Sequence, residues 1–327
     1  MIPFIKVGII GGAGYTGGEL LRVLLHHPNS AISFVHSTSN AGNLVSSVHT
    51  DLVGDTELIF TNTIDQNIDI LFLCVGHGEA IKFLQTNTIA PSIKMIDLSQ
   101  DFRLTAAAAQ GDRHFIYGLP ELNKAAIQSA QKIANPGCFA TAIQLGLLPL
   151  AEKGLLESVY TTGITGSTGA GQGLSSTSHF SWRANNIQPY KTLQHQHLFE
   201  ITQSLHQLQG NKKAAVHFVP WRGDFTRGIF ASSIIETKLT LEALYEMYTH
   251  YYDWHPFTHV SKNAIDLKQV VNTNKCLIHI EQQDNKMVVH TAIDNLLKGA
   301  VGQAVQNMNL MMGLPEIAGL QLKASNF

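Results

Sequence analysis

A cysteine that opens a helix is placed to act as a nucleophile. Asn135-Pro136-Gly137-Cys138 reads as such a junction, with a helical pattern over residues 140–150 behind it. A helix N-terminus offers unpaired N–H groups and partial positive charge, which stabilise a thiolate and lower the thiol pKa. Cys74, inside a strand pattern, and Cys276 read instead as buried, inert thiols. The second chemical group is Gly11-Gly12-Ala13-Gly14-Tyr15-Thr16-Gly17, which carries G-x-G-x-x-G at Gly12, Gly14 and Gly17. Glycine lets the backbone approach a pyrophosphate, and the helix start supplies N–H donors. A plain tight turn is the alternative, but a strand before and a helix after favour the dinucleotide.

Which dinucleotide depends on the end of the second strand. An NAD site puts an acidic residue there for the ribose 2′-hydroxyl, yet no Asp or Glu occurs between Glu19 and Asp51. The segment reads His36-Ser37-Thr38-Ser39, whose imidazole and hydroxyls suit a 2′-phosphate, so the expected cofactor is NADP(H). The bland reading is a solvated loop. A thiolate beside a nicotinamide implies capture of an activated acyl group as a thioester, which unlike a carboxylate accepts hydride and yields an aldehyde.

Proton handling is harder to assign, because the chain has 16 histidines. Tyr190, Lys191, His195, Gln196, His197 and Glu200 concentrate titratable groups at a predicted helix start, for which a polar helix face is the simpler reading. Of the late arginines Arg183, Arg222 and Arg227, Arg227 lies beside Gly228 in a strand-like segment and is the preferred partner for a substrate carboxylate, with surface charge as the alternative for each.

The elements that must position these groups fall into two parts. Strands are expected at residues 6–10, 31–36, 69–75 and 94–98, with helices over 19–27 and 80–84 between them. Continuous apolar strands alternating with helices predict a parallel, doubly wound α/β domain. Beyond the helix at 140–150 the strands alternate, at residues 157–163, 214–220, 226–237 and 287–292, as in an α+β domain. A glycine-rich loop spans residues 163–173, and residues 295–312 read as a helix stopped at Gly313-Leu314-Pro315.

Composition agrees with two globular domains, since 327 residues exceed what one core of roughly 250 to 300 usually holds. With 22 basic and 24 acidic side chains the net charge is -2, which supplies no field for nucleic acid or anionic lipid. Three scattered cysteines make neither a disulfide framework nor a zinc site, and no metal is expected. No apolar run nears the roughly 18 to 20 residues that span a bilayer, so the expected location is the cytoplasm.

Several segments together resemble one family, the N-acetyl-gamma-glutamyl-phosphate reductases, over nearly the whole chain. They are GGAGYTG at 11–17, DLSQDFRL at 97–104, YGLPELN at 117–123, NPGC at 135–138, the glycine loop around Thr168 to Gly171, and DNLLKGAVGQAVQ at 294–306 followed by Asn309 and Gly313-Leu314-Pro315. The resemblance implies NADPH-dependent reduction of an N-acyl-glutamyl 5-phosphate to the 5-semialdehyde, with release of phosphate, in arginine biosynthesis. It implies Cys138 as nucleophile, His195 as acid/base, and Arg103, Thr168, Gly169, Tyr190, His197, Glu200 and Arg227 around the substrate. It implies Gly11, Gly12, Gly14, Tyr15, Thr16, Gly17, Ser37, Thr38, Ser39, Ser99, Pro136 and Asn295 around NADP(H). The fold it implies is a Rossmann-type domain of residues 1–137 with 295–327, the C-terminal helix returning to it, and a substrate and dimerisation domain of residues 138–294, assembled as a homodimer or homotetramer.

Two departures touch the pocket. The family's His-Arg-His-Thr-Pro-Glu looks like His195-Gln196-His197-Leu198-Phe199-Glu200 here, and the link between His217-Phe218-Val219-Pro220 and Arg227-Gly228-Ile229 is lengthened by residues 221–226. The Lys or Arg often found after the second strand is absent near Ser39-Asn40. N-acetyl is the leading acyl group, N-succinyl its rival, and an amino-adipyl analogue a weaker one. An aspartate-semialdehyde dehydrogenase shares the chemistry, although the YGLPELN and C-terminal segments argue against it. A non-catalytic NADP-sensing protein is the reading from another class.

Overall fold

A computed structural model describes residues 4–110, 113–210 and 212–326. Residue contacts divide the chain into two compact units. One runs to Pro136 and takes back Ala300–Gln321; the other comprises Gly137–Gly299 and the chain end from Leu322. The C-terminal helix thus joins the first unit, while residues 295–299, expected with that helix, lie in the second.

In the first unit the apolar runs form β1 (Ile5–Ile10), β2 (Ser30–His36), β3 (Phe60–Thr61), β4 (Ile70–Leu73) and β5 (Lys94–Asp97), with α1 (Tyr15–Leu24) and α2 (Glu79–Thr86) between them. Then come α3 (Thr105–Ala108), the small antiparallel pair β6 (Ala109–Gln110) and β7 (Arg113–His114), β8 (Ile116–Tyr117), α4 (Pro120–Ser129) and β9 (Lys132–Ala134). The main sheet is parallel, in the order β3-β2-β1-β4-β5-β9-β8. Its order reverses between β1 and β4, the switch point at which open α/β sheets bind ligands. β1 and β4 are buried almost throughout, which explains their unbroken apolar sequence.

The helix expected over 19–27 begins earlier, at Tyr15, because the glycine turn leads straight into it, and it stops before Pro28. The C-terminal helix, Val301–Met311, is buried along its whole length against α1 and α4. Two of its asparagines tie it down: Asn309 pairs with His27 at 3.0 Å and Asn307 donates to the Gly118 carbonyl at 2.8 Å. This helix was expected from residue 295 and starts six positions later. The Asp294 carboxylate takes the N–H groups of Leu296 and Leu297 at 2.8 and 3.1 Å, curling the chain into turns. Ala300, at φ −154° and ψ −94°, keeps those turns out of the helix.

The second unit is built on α5 (Cys138–Glu152), which buries 13 of its 15 residues. Around it lie β10 (Ser158–Thr165), α6 (Phe180–Arg183), β11 (Gln188–Pro189), α7 (His197–Gln209), β12 (Ala215–Arg222), β13 (Ile229–Glu236), α8 (Leu241–Tyr252), β14 (Thr258–Ser261), β15 (Cys276–Gln283) and β16 (Lys286–Ile293). The sheet is mixed, ordered β11-β12-β10-β13-β16-β15-β14, with β10–β12 and β14–β15 parallel. Alternating burial along β10 and β13 reflects one face packed inward and one open, as the period-two pattern predicts. Among the described residues no helix is long and apolar enough to cross a membrane.

Candidate active site

The glycine turn after β1 closes for steric reasons that name its glycines. Gly11 sits at φ +78°, where an L side chain is strained, and a Cβ on Gly17 would lie 2.5 Å from the Gly12 carbonyl oxygen. Gly12 has no room either, since its Cβ would meet Val35 at 2.2 Å. Gly14 differs: the nearest atom to an added Cβ is 3.8 Å away, so the space above it is open. Gly14 caps α1 without a side-chain hydrogen bond, and the first turn carries no acidic residue. Tyr15 and Thr16 follow as the first residues of α1, Tyr15 exposed. Open space above a glycine at an uncapped helix start is what a pyrophosphate needs.

A groove of about 630 Å³ runs from this turn over the switch point, lined by Gly11, Ala13, Gly14, Val75 and Gly76. Ser37, Thr38 and Ser39 line its other end. Ser37 is buried and accepts a hydrogen bond from Asn40 at 3.1 Å, while Thr38 and Ser39 are exposed. Lys82 of α2 lines the same groove and pairs with Glu79 at 2.7 Å. The sequence showed no cation after β2; the structure supplies one from α2, a contribution that spacing along β2 could not reveal.

Ser99, expected at the cofactor, is fully buried and spends its hydroxyl on Asp97 at 2.8 Å, while its oxygen accepts the Asp101 N–H. Arg103, expected at the substrate, donates to the carbonyls of Asn135 at 2.8 Å and Leu98 at 3.0 Å, bracing the loop that ends at the buried Pro136. Both residues hold the turns at the carboxyl ends of β5 and β9.

In the second unit Cys138 is the first residue of α5, as its sequence neighbours predict, with Gly137 as the extended residue before it. The Gly137 N–H donates to Glu200 Oε2 at 2.9 Å, and Thr141 N–H to the Gly137 carbonyl at 2.8 Å. Beside Cys138, a Cβ on Gly299 would stand 2.8 Å from Cys138 Cβ. Cys74 and Cys276 are buried, and burial pushes the Cys74 thiol far up, so Cys74 offers no thiolate.

The histidine segment gathers at the start of α7. His195 is 3% exposed and packs edge-on against Phe139, Tyr190, His197 and Phe218, with ring centroids 4.6 to 5.7 Å away. Its Nδ1 accepts the His197 N–H at 3.2 Å, which leaves the imidazole proton on Nε2. Burial, aided by the Lys191 cation, pushes its pKa down to about 4. Tyr190 feels both Cys138 and His195; burial pushes its hydroxyl well above the usual phenol range, and the negative charge of Cys138 adds to this. Glu200 is 3% exposed and lies 3.9 Å from His197 Nε2. The polar-helix-face reading of this segment is overturned by that burial.

Arg227 is engaged by a carboxylate of the chain itself. Its Nε and Nη2 grip Asp294 at 3.0 and 3.1 Å, a two-pronged pair with the carboxylate fully buried. Asn295 accepts the Gly228 N–H at 2.7 Å and donates to Thr168 Oγ1 at 3.0 Å, which itself donates to the Thr226 carbonyl. Asn295 therefore ties the glycine loop at Thr168 and Gly169 to the turn at Gly228. Among the described residues no group of three or more His, Cys, Asp or Glu could hold a metal.

Comparison with known proteins meets this geometry on both units. Residues 6–130 match the semialdehyde dehydrogenase NAD binding domain, and residues 138–295 the semialdehyde dehydrogenase dimerisation domain. The chain is 55% identical over 325 residues to N-acetyl-gamma-glutamyl-phosphate reductase of Bacteroides fragilis, covering 99% of this chain and 100% of the relative. The chain belongs to the N-acetyl-gamma-glutamyl-phosphate reductase family. Reductases of that name from Parabacteroides distasonis and Flavobacterium johnsoniae are 54% and 53% identical, again over 99% of this chain and 100% of theirs.

Solved structures extend the likeness in fold beyond the reductases. Aspartate semialdehyde dehydrogenase II of Vibrio cholerae, complexed with ASA, superposes with a TM-score of 0.72 at 17% identity, over 95% of this chain and 98% of that one. The aspartate semialdehyde dehydrogenase of Candida albicans, solved with NADP, gives 0.69 at 14% identity, over 94% and 98%. The N-acetyl-gamma-glutamyl-phosphate reductase family and these dehydrogenases thus share one two-unit architecture.

Proposed function

We propose that this chain reduces an N-acyl-L-glutamyl 5-phosphate to the 5-semialdehyde and phosphate in arginine biosynthesis, with N-acetyl, the acyl group in its relatives' names, as the leading substrate. The observation that carries the reading is Cys138 at the first position of a buried helix, its neighbour Gly137 held by Glu200 and a neutral imidazole packed nearby.

Cys138 Sγ attacks the acyl carbon, forming a C–S bond, and the carbon–oxygen bond to phosphate breaks with its electron pair leaving on phosphate. The resulting thioester is electrophilic, and NADPH, when bound, supplies the hydride that reduces it. The tetrahedral carbon on Cys138 then collapses to the aldehyde, and the sulfur departs as thiolate. His195 donates its Nε2 proton as a hydrogen bond to the substrate oxygen on which charge develops, a role open to it because it is neutral. The N–H groups of the first turn of α5 are a second set of donors for that oxygen. Burial of His195 and its aromatic neighbours restricts the water that would hydrolyse the thioester.

The glycine turn, Ser37 to Ser39 and Lys82 hold NADPH in this reading. The same reading puts the enzyme in the cytoplasm as a homodimer or homotetramer, with no nucleic-acid or membrane partner.

The test is reduction of NADP by N-acetyl- and N-succinyl-glutamate semialdehyde in the presence of phosphate, with wild type and Cys138→Ser. Turnover that the Ser variant lacks, together with an acyl adduct on Cys138 found by mass spectrometry when acyl phosphate is supplied without NADPH, is expected. Absence of turnover with either aldehyde would overturn the reading in favour of a non-catalytic NADP-binding protein.

A further inference from the structure

Arg227 is already neutralised by Asp294, so a substrate carboxylate needs another cation. Two arginines of the second unit, Arg222 and Arg183, have no carboxylate within ion-pair distance among the described residues. Arg222 closes β12, in register with Thr165 on one side and Gln188 on the other. Its guanidinium carbon lies 4.8 Å from the centroid of the Tyr190 ring. Arg183, from α6, donates through Nη1 to the Arg222 carbonyl at 3.4 Å and through Nη2 to the Thr177 carbonyl at 2.8 Å.

In both arginines Nε is buried with no hydrogen-bond partner. Nε and the adjacent Nη form the edge that takes a carboxylate with two parallel bonds. A buried donor left unpaired is costly, and two like charges side by side add to that cost. The mutual repulsion shows in Arg183, whose pKa is lowered first by burial and then by Arg222. Asp224 only tempers this, for it is exposed and spends an oxygen on the Asn185 N–H at 2.6 Å. Tyr190, under the Arg222 guanidinium, is the residue that also feels Cys138 and packs on His195. The unpaired Nε of Arg222 therefore lies beside Tyr190, a ring neighbour of His195, in the segment where this chain is longer than its family's usual pattern.

We propose that Arg222, with Arg183 beside it, is the carboxylate receptor of the substrate pocket, in place of Arg227. The inference rests on the acyl-glutamyl phosphate reading above. Such a substrate has an α-carboxylate, and a dicarboxylic acyl group such as succinyl adds a second; either matches the receptor's chemistry.

Calorimetric titration of wild type, Arg222→Gln, Arg222→Lys and Arg183→Gln with N-acetyl-L-glutamate and N-succinyl-L-glutamate tests it, since neither ligand can react. Arg222→Gln is expected to bind roughly ten- to a hundred-fold more weakly, and Arg222→Lys to recover part of the loss. Loss with both ligands assigns the receptor to the α-carboxylate; loss confined to the succinyl ligand assigns it to the acyl end. In turnover the same variants raise KM far more than they lower kcat. Unchanged affinity in both Gln variants, or a wild type that binds neither ligand, overturns the proposal. If Arg222→Gln does not fold, as judged by its melting, Arg222→Lys and Arg183→Gln decide the matter. A wild type that binds through Arg222 yet shows no phosphate-dependent turnover sinks the reductase reading and leaves the receptor standing.

Discussion

Glu200 Oε2 accepts the Gly137 amide proton at 2.9 Å, so a carboxylate from α7 fixes the residue immediately before Cys138. Both groups are buried, and removing the acceptor leaves a buried N–H unpaired at a cost of about 1 to 3 kcal/mol. Glu200→Ala should therefore melt earlier and lose kcat, with KM less affected, while Glu200→Gln, whose amide oxygen still accepts, keeps most of both. Rates of Cys138 alkylation by iodoacetamide give a readout free of substrate binding. Wild-type alkylation and kcat in Glu200→Ala would show that the clamp does not position the thiol.

Gly299 backs onto Cys138 from the other side. An alanine there places its Cβ 2.8 Å from Cys138 Cβ and 2.7 Å from the Asn295 carbonyl, and neither can yield without moving backbone. Displacing a nucleophile by about 1 Å costs roughly a hundredfold in rate. Gly299→Ala should show a loss of that order in single-turnover acylation, plus about 1 to 3 kcal/mol of stability from overpacking. Full acylation activity would mean that the thiol position tolerates such a shift.

How much of this was legible from sequence depends on how far away each residue's partner lies. The glycine turn and the Cys138 junction were readable because their demands are local: a positive φ at Gly11, contact between Gly17 and Gly12, an extended Gly137 before a helix. Arg227 was matched to a substrate carboxylate because Asp294, which occupies its fork, is remote in sequence and adjacent only in the fold. The same carboxylate curls residues 296 and 297 out of the helix, which apolar spacing cannot register. The bond of the Ser99 hydroxyl to Asp97 is likewise a contact that the sequence pattern does not show. Lys82 goes unnoticed in the sequence, and Arg222 ranks behind Arg227 there, for the converse reason: their neighbours in the groove and at Tyr190 lie elsewhere in the sequence.

Within the glycine turn, Gly14 and Gly17 separate cofactor binding from folding. A Cβ on Gly14 meets nothing closer than 3.8 Å, whereas one on Gly17 collides with the Gly12 backbone at 2.5 Å. Gly14→Ala should melt like wild type but bind NADPH more weakly, because the methyl fills the space the pyrophosphate approaches. Gly17→Ala should lose stability and binding together. Differential scanning fluorimetry with and without NADPH separates the two, and a Gly14→Ala protein with undiminished NADPH stabilisation would remove the pyrophosphate from this turn.

Lys82 is the cation available to a 2′-phosphate in the groove, and its pairing with Glu79 raises its pKa, so it stays charged at neutral pH. Because the side chain is exposed, its contribution is modest. Lys82→Ala should raise KM for NADPH by several-fold to roughly tenfold while leaving that for NADH almost unchanged. Equal effects on the two cofactors would assign Lys82 to the shared pyrophosphate instead.

His195 makes a prediction about pH whose sign follows from its environment. Its pKa is about 4 in the folded chain against an ordinary 6.5, so between those values the unfolded chain binds the extra proton. Stability then rises with pH through that window, and acidification from 6.5 towards 4 removes up to about 3 kcal/mol through this one group. Asp97 works in the opposite direction, since burial raises its pKa from 3.8 to about 6 and its stabilisation, complete below 3.8, is lost as pH rises through 6. The net curve of the wild type therefore hides both, and the informative quantity is a difference. Urea unfolding from pH 7 down to pH 4 should show His195→Gln losing less stability than wild type by up to about 3 kcal/mol. In kcat/KM the imidazole, neutral throughout, should produce no limb between roughly pH 5 and 8. Parallel stability curves for the two proteins, or a limb near pH 6.5 that disappears in the variant, would mean that His195 is protonated at ordinary pH and acts as a cationic acid.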